Sequence, residues 1–456
     1  MVQLILTILI YLIMVIPVGI YVYHIAAGKH TFADPVFDHV DNVIYKVSGI
    51  KKDKGMNWKT YAIALLATNG VMILLGYIIL RIQSIPLFNP NGIGNMEESL
   101  SFNTIISFMT NTNLQHYSGE SGLSYLSQML VITFGKMVRD RKKAQQAENG
   151  ELAEATTLRT RRSFTAWMYG REGRSIFAAM GIIFLIGLGV CFWSESQGNP
   201  ALQEIGVSQS MGSMEGKEVR FGIAQSAMFT TTTTSFTTGT VNNMHDTLTP
   251  LGGMIPLLHM MLNVVFGGKG VGLMNMIMYA ILAVFICGLM IGRTPEYLGK
   301  KIEGREMKLT ALCIIIHPFL ILSFSALAIA LVNVLPDNNG LTNPGFHGLS
   351  QVLYEYSSSA ANNGSGFEGL ADNTMFWNIT AGLAMFFGRY LSIVIQLAIA
   401  GSLMKKRFVS ESVGTLHTDT ASFAVILVFV VYIFAALTFF PVLALGPIAE
   451  HLTLWA

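Results

Sequence analysis

Charge is what this sequence has least of. Only 12% of its 456 residues are Asp, Glu, Lys or Arg and 52% are hydrophobic, where a soluble domain carries about 25% charged residues. That shortage excludes an ordinary cytosolic globular protein and a disordered chain. The net charge of +2 is too small to argue for a polyanionic partner such as nucleic acid. Cysteine is nearly absent as well: Cys191, Cys287 and Cys313 each lie in an apolar run, with no CxxC pair or Cys/His cluster among their neighbours, and they read as buried small hydrophobes. Also missing are a GxxxxGK[ST] phosphate loop, a DKTG-type phosphorylation segment and an HExxH helix, so the chain has no recognisable nucleotide-hydrolysing machinery.

What is plentiful is apolar length. A helix crossing the hydrocarbon layer needs about 20 apolar residues. Clear candidates are Leu4 to Tyr23, Tyr61 to Leu80, Ser175 to Trp193, Leu309 to Val334, Met375 to Leu403 and Ser422 to Leu445. Two less regular ones bring the expectation to eight: Leu123 to Val138, which is short and contains Lys136, and Leu251 to Ile291, interrupted by Gly267-Gly268-Lys269-Gly270. The first segment lacks a basic n-region and reads as a retained anchor. Basic residues collect in loops 29 to 59, 136 to 174, 293 to 308 and 404 to 411, whereas the loops around Glu97, Glu120, Glu195, Glu204, Glu215 and Asp337 are poor in base. Lys136 to Arg174 alone holds ten Lys/Arg against five acids. Because Lys and Arg stay cytoplasmic, this alternation predicts both termini outside and the stretch 139 to 162 as a solvated cytoplasmic loop.

Between crossings on the outer side lie semi-apolar segments too short to span: Ser101 to Asn111, Phe221 to Thr233 and Gly348 to Ser358. Each runs into small polar residues, TNTNLQ at 110–115, SFTTGTVN at 235–242 and SAANNGS at 359–365, and each is followed by another crossing. The chain thus reads as three copies of helix, half-helix, polar turn and helix, with one further helix at each end. Non-helical backbone at membrane depth is tolerated only where protein buries it or a watery cavity meets it. Inward carbonyls can there replace the hydration shell of a cation, and a half-helix adds negative partial charge at its carboxyl end. Gly239 and Gly364 suit such turns; in the first turn the expected counterpart is Gln115.

Several stretches make the chain resemble a known family, the potassium-binding A subunits of the Kdp potassium-transporting ATPase: MNWK at 56–59, TNTNLQHYSGE at 110–120, VNNMHDTLTPLGG at 241–253, VFGGKGVG at 265–272, GLMIGRTPEYLGKK at 288–301, SSSAANNGSG at 357–366 and LGPIAEHL at 445–452. The resemblance implies an all-α polytopic membrane protein of the type found in the superfamily of potassium transporters. It implies a non-catalytic subunit that binds extracellular potassium in a carbonyl-lined filter and passes it inward, while a partner hydrolyses ATP. Implied partners are the P-type ATPase subunit KdpB, the single-span KdpC and a small stabilising KdpF-like peptide, in a bacterial plasma membrane. No cofactor is implied; potassium is the cargo, and no other metal is expected.

Carried over position by position, the resemblance puts filter residues at Thr112, Asn113 and Gln115, at Thr237, Thr238 and Gly239, and at Asn362, Asn363 and Gly364. Gly268, Lys269 and Gly270 would form a gating loop, and Arg389 a positive charge below the filter. The repeats are expected as 61–138, 175–292 and 309–403, flanked by 1–60, the basic loop 139–174 and 420–456. The family resembles four repeats around one pore where this chain shows three: about a hundred residues with a GTNGGGF-like turn are absent between Thr133 and Phe134, so 61–138 would fuse the first repeat to a remnant of the second.

Alternatives stay open from the residues alone. One is a stand-alone or secondary potassium transporter of the same superfamily, and another a shortened, transport-inactive member. A third, of a different class, is a membrane enzyme using His245 and Asp246, which read more simply as hydrogen-bonded supports at the outer lip. Glu120 and Glu368, just beyond turns, could concentrate cations or simply be solvated.

Overall fold

Apolar stretches of this length have no water to bond their backbone, so they fold as helices whose N–H and C=O groups pair internally. The computed structural model describes residues 56–86, 88–135, 171–292, 294–332, 334, 340–409 and 416–456, together with Leu6, Leu9, Ile10, Ile13 and Pro17. In chain order the main helices are α1 (Trp58–Arg81), α2 (Glu98–Thr110), α3 (Arg171–Ser196), α4 (Gly222–Ser235), α5 (Pro250–Leu262), α6 (Val271–Ile291), α7 (Gly304–Val332), α8 (Phe346–Ala361), α9 (Met375–Met404) and α10 (Ala421–Leu443). Among the described residues, six helices are long and apolar enough to cross a membrane: those at α1, α3, α6, α7, α9 and α10. The molecule is an all-α, multi-pass membrane protein.

The differences from the sequence expectation have local causes. The interruption expected in Leu251 to Ile291 begins earlier than its glycines: α5 stops at Leu262, Asn263 turns left-handed at φ 47°, and α6 starts only at Val271. Leu123 to Val138 is described only as far as Gly135, as a short turn at Tyr125–Ser127 followed by a π-helical stretch Gln128–Gly135. The loop 293–308 is not featureless, because Glu296–Tyr297 and Lys300–Lys301 pair as an antiparallel hairpin, β1 and β2. Leu4 to Tyr23 apart from five residues, the basic loop 139–162, Lys136 and Asp337 lie outside the described residues. The helix α7 begins ahead of Leu309 because Glu306 caps it, accepting from the amide of Glu303 at 3.0 Å while its carboxylate also takes Lys406.

Helices α2, α4 and α8 are the half-helices. Each is too short to span, and each is followed by a turn and then by a return element. Packing fastens α2 to α1 and α9; α4 to α3 and α5; and α8 to α7, α9 and α5. The largest core cluster joins α3, α5, α6 and α10 through Ile183, Leu257, Met260, Met276, Ile281, Leu427 and Val431. A smaller one joins α1 to α2 through Leu80, Ile105, Phe108 and Val131. The first repeat therefore reaches the rest of the molecule chiefly by way of α9.

Candidate ion-binding site at the three turns

The half-helices are rich in Ser and Thr yet buried, and several of their hydroxyls are satisfied along the helix itself. Thr110 Oγ1 donates to Ile106 O at 2.8 Å, Thr231 to Ala227 O at 2.8 Å, Thr234 to Thr230 O at 2.9 Å and Ser235 to Thr231 O at 2.7 Å. Most of these hydroxyls thus enter the interior already paired, Ser226 and Ser357 Oγ being buried without a hydrogen-bond partner.

At the carboxyl end of each half-helix the backbone repeats one pattern. The N–H groups of Thr112, Thr238 and Asn363 donate to the carbonyls of Ser107, Thr233 and Ser358 at 2.8, 2.8 and 2.9 Å. Two positions in each turn take positive φ: Asn111 and Asn113 at 64° and 62°, Thr237 and Gly239 at 47° and 81°, Asn362 and Gly364 at 56° and 106°. The hydroxyl of the anchor residue then ties the far side. Ser107 Oγ donates to Leu114 O at 2.8 Å, Thr233 Oγ1 to Thr240 O at 2.6 Å, and Ser358 Oγ accepts from Gly364 N at 3.0 Å.

This register corrects one expectation. The residue in the place of Gly239 and Gly364 is Asn113, and Gln115 lies two residues further on, exposed and donating to Tyr117 Oη at 3.3 Å. Asparagine is the non-glycine residue that best tolerates left-handed backbone, which is why the first turn manages without glycine.

The turns meet one another. A Cβ on Gly239 would collide with the carbonyl oxygen of Asn363, and a Cβ on Gly364 with that of Thr112. The third turn therefore sits between the other two, and Asn363 is wholly buried at 0% exposure. At the ends of this arc Thr238 is exposed and Asn113 half-buried. Side chains lock the arc: Asn362 Nδ2 donates to Thr112 Oγ1 at 2.9 Å and to Met385 O at 3.0 Å, and Asn363 Nδ2 to Ser365 Oγ at 2.6 Å. With side chains so employed, the groups left to meet a ligand are mostly backbone carbonyls. Three helix carboxyl ends converge on them and add negative partial charge.

The segment after α5 docks on the second turn where α4 ends. Gly267 N donates to Ser235 O at 3.1 Å, Gly268 N donates to Thr237 Oγ1, and Phe266 stacks on Phe236 with centroids 5.1 Å apart. Gly270 has φ 86° and opens into α6; of Lys269 only the backbone is described. Arg389 is buried at 4% exposure on α9, so it does not snorkel to an interface. It lies four residues past Met385, the anchor of Asn362, hence about 6 Å further toward the basic end of that helix.

His245 and Asp246 belong to a supporting network. His245 Nδ1 is 2.6 Å from Tyr354 Oη, which is 2.8 Å from Ser365 Oγ, and both backbone amides donate to Glu368 Oε2, at 2.9 and 3.2 Å. Asp246 Oδ1 meets His347 Nε2 at 3.1 Å and accepts from Gln351 at 3.0 Å, and His347 Nδ1 reaches Glu450 at 2.8 Å. Burial, aided by Lys217, pushes His245 down to about 3, so it stays neutral. Burial also opposes charge on His347, but its bonds to Asp246 and Glu450 prevail and raise it to about 10. Glu120 is exposed.

Sequence reasoning passed over the anchors Ser107, Thr233 and Ser358, although each precedes Asn113, Gly239 or Gly364 by the same six residues. It also passed over His116, Glu355 and Asp372, which meet beside the first and third turns. Burial disfavours a charged His116, yet Asp372 and Glu355 outweigh it and hold the imidazole up at about 9. A lone acid deep in a half-helix, Glu355, was the available signal.

Residues 5–140 and 164–452 match the protein family described as Potassium-transporting ATPase A subunit. The chain is similar to the potassium-transporting ATPase potassium-binding subunit of Clostridium acetobutylicum, 47% identical over 556 aligned positions covering 99% of each chain. It is also similar to the subunit of the same name from Geobacillus kaustophilus, 42% identical over 551 positions covering 98% of each.

Proposed function

From the premise that the chain belongs to the Potassium-transporting ATPase A subunit family, we propose that the arc of turns is its potassium site. The chain is the potassium-binding and translocating subunit, and hydrolysis of ATP falls to another subunit. Potassium from outside sheds water against carbonyls of the Thr112–Asn113, Thr238–Gly239 and Asn363–Gly364 segments. The ends of α2, α4 and α8 compensate the dehydrated charge. The observation that carries this reading is the recurrence of one backbone pattern, the same amide-to-carbonyl bond and the same pair of positive φ angles, in three turns that touch.

Beyond the site, the segment Gly267–Gly270 acts as the gate, since it rests on Thr237 and a shift of it moves the turn. The charge of Arg389, one helical turn further, discourages a cation from running on unless coupled movement relieves it. The complex contains a P-type ATPase subunit, KdpB, with KdpC and a small KdpF-like peptide. It resides in the bacterial plasma membrane with both termini of this chain outside.

The experiment is growth of a potassium-uptake-deficient bacterium at micromolar potassium with this chain and the partner subunits coexpressed, beside a Gly364→Asp variant. Growth that the variant abolishes supports translocation through the arc. A chain that inserts and copurifies with its partners but supports no growth overturns it, leaving the family's architecture without its transport.

A further inference from the structure

Beside the first and third turns lies a constellation that the ion pathway does not use. His116 follows Asn113 by three residues, Glu355 sits on α8 and Asp372 precedes α9. His116 and Glu355 are 3% and 1% exposed. From His116 Nε2, Glu355 Oε1 lies at 3.4 Å and Asp372 Oδ2 at 3.6 Å, and one ligand atom from each residue falls within 4.8 Å of the others. A tetrahedron with zinc-to-ligand bonds of about 2.0–2.1 Å has edges of about 3.4 Å. The two measured separations are close to such edges.

A separate observation concerns which nitrogen faces the carboxylates. The Asn378 amide is oriented by Nδ2 donating to Ser99 Oγ at 3.1 Å and Asn373 Oδ1 at 3.3 Å. Its Oδ1 is therefore the acceptor that meets His116 Nδ1 at 2.8 Å, and Nδ1 carries the proton. Nε2, buried and aimed between the two acids, has only these long ion-pair contacts and no well-formed hydrogen bond, so a metal ion there would take the place of its proton. An imidazole held through one nitrogen by an amide oxygen, with the other presented to carboxylates, is the usual arrangement of a metal-ligating histidine.

We propose that His116, Glu355 and Asp372 bind one divalent transition ion of the zinc class, with water as the fourth ligand. The mixed imidazole and carboxylate donors suit such an ion and not potassium, which is taken by oxygen alone. Binding releases any proton on Nε2 to solvent and offsets two acids brought together in a buried place. The ion joins the segment leaving the first turn to the half-helix entering the third, and so braces the contact of Thr112 with Gly364. This site is independent of the transport reading.

The test uses the full chain purified in detergent, stripped with a chelator, dialysed against zinc and assayed by atomic emission. About one zinc per chain is expected, with loss of at least tenfold in zinc affinity in both His116→Gln and Glu355→Gln. Cobalt(II) added to the stripped wild-type chain should give the intense visible bands of four-coordinate cobalt, bleached by zinc, a readout that needs no variant to fold. A wild-type chain that holds no zinc and gives no such bands overturns the proposal, the three side chains then being an ion pair only. Zinc retained equally by both variants overturns it too, because the metal then lies elsewhere.

Discussion

The carbonyl oxygen of Thr112 lies so close over Gly364 that a single added carbon would strike it. Residues some 250 positions apart in sequence are thereby brought into contact, and the spacing between them is set by glycine's lack of a side chain.

Gly364→Ala should force the third turn off Thr112, since it adds both the collision and φ 106° strain. Strain of about 1–3 kcal/mol is expected, with apparent potassium affinity lower by about tenfold or more. Gly366→Ala, where a Cβ would meet nothing within 4 Å, is the control and should change affinity little. Potassium activation of ATP hydrolysis by the assembled complex measures both; equal effects would refute the steric account.

Ser107→Ala removes the bond to Leu114 O, and Thr233→Val the bond to Thr240 O. Each should lower stability by about 1 kcal/mol, rising toward 3 where the abandoned carbonyl stays buried. Potassium affinity should fall in both, because the turns lose the tie that closes them. Thermal unfolding and potassium titration of the same preparations separate the two effects.

Glu195, at the end of α3, is wholly buried with Lys217 at 2.7 Å and accepts from Thr249 N and Oγ1 at 2.9 and 2.6 Å. Lys217→Met alone should destabilise by about 3–5 kcal/mol, since it strands a buried carboxylate. Adding Glu195→Gln should recover a large part of that loss. Melting temperatures of the two singles and the double give the coupling; simple additivity would show that the pair does not interact.

His347 makes stability depend on pH. Its folded pKa, about 10, exceeds the unfolded value of 6.5, so the contribution is fully present below about pH 6.5. It is lost progressively as pH rises toward 10. His347→Gln should flatten the pH dependence of the melting temperature across that alkaline window. An unchanged slope would mean that the pairings with Asp246 and Glu450 carry no linkage.

Much of the fold was legible because its causes are local. The 24 residues of α1 and the 30 of α9 cross because runs of that length satisfy their own backbone in lipid. The half-helices were legible for the opposite reason, being apolar yet too short. The break inside 251–291 was signalled by glycines, but its consequence, a loop resting on Thr237, was not. Placing Gln115 opposite Gly239 failed because hydrogen-bond register, not residue type, aligns the turns, and Asn113 reaches the required φ of 62° without being glycine.

By itself the sequence determined a membrane-embedded helical chain with three re-entrant segments, since length, hydropathy and charge act over a few turns at a time. Only the tertiary structure decided that the turns form an arc with the third at its centre. It alone brought His116 to Glu355 and Asp372, more than two hundred residues away. No periodic pattern encodes such meetings, because they arise from how α2 and α8 each pack on α9.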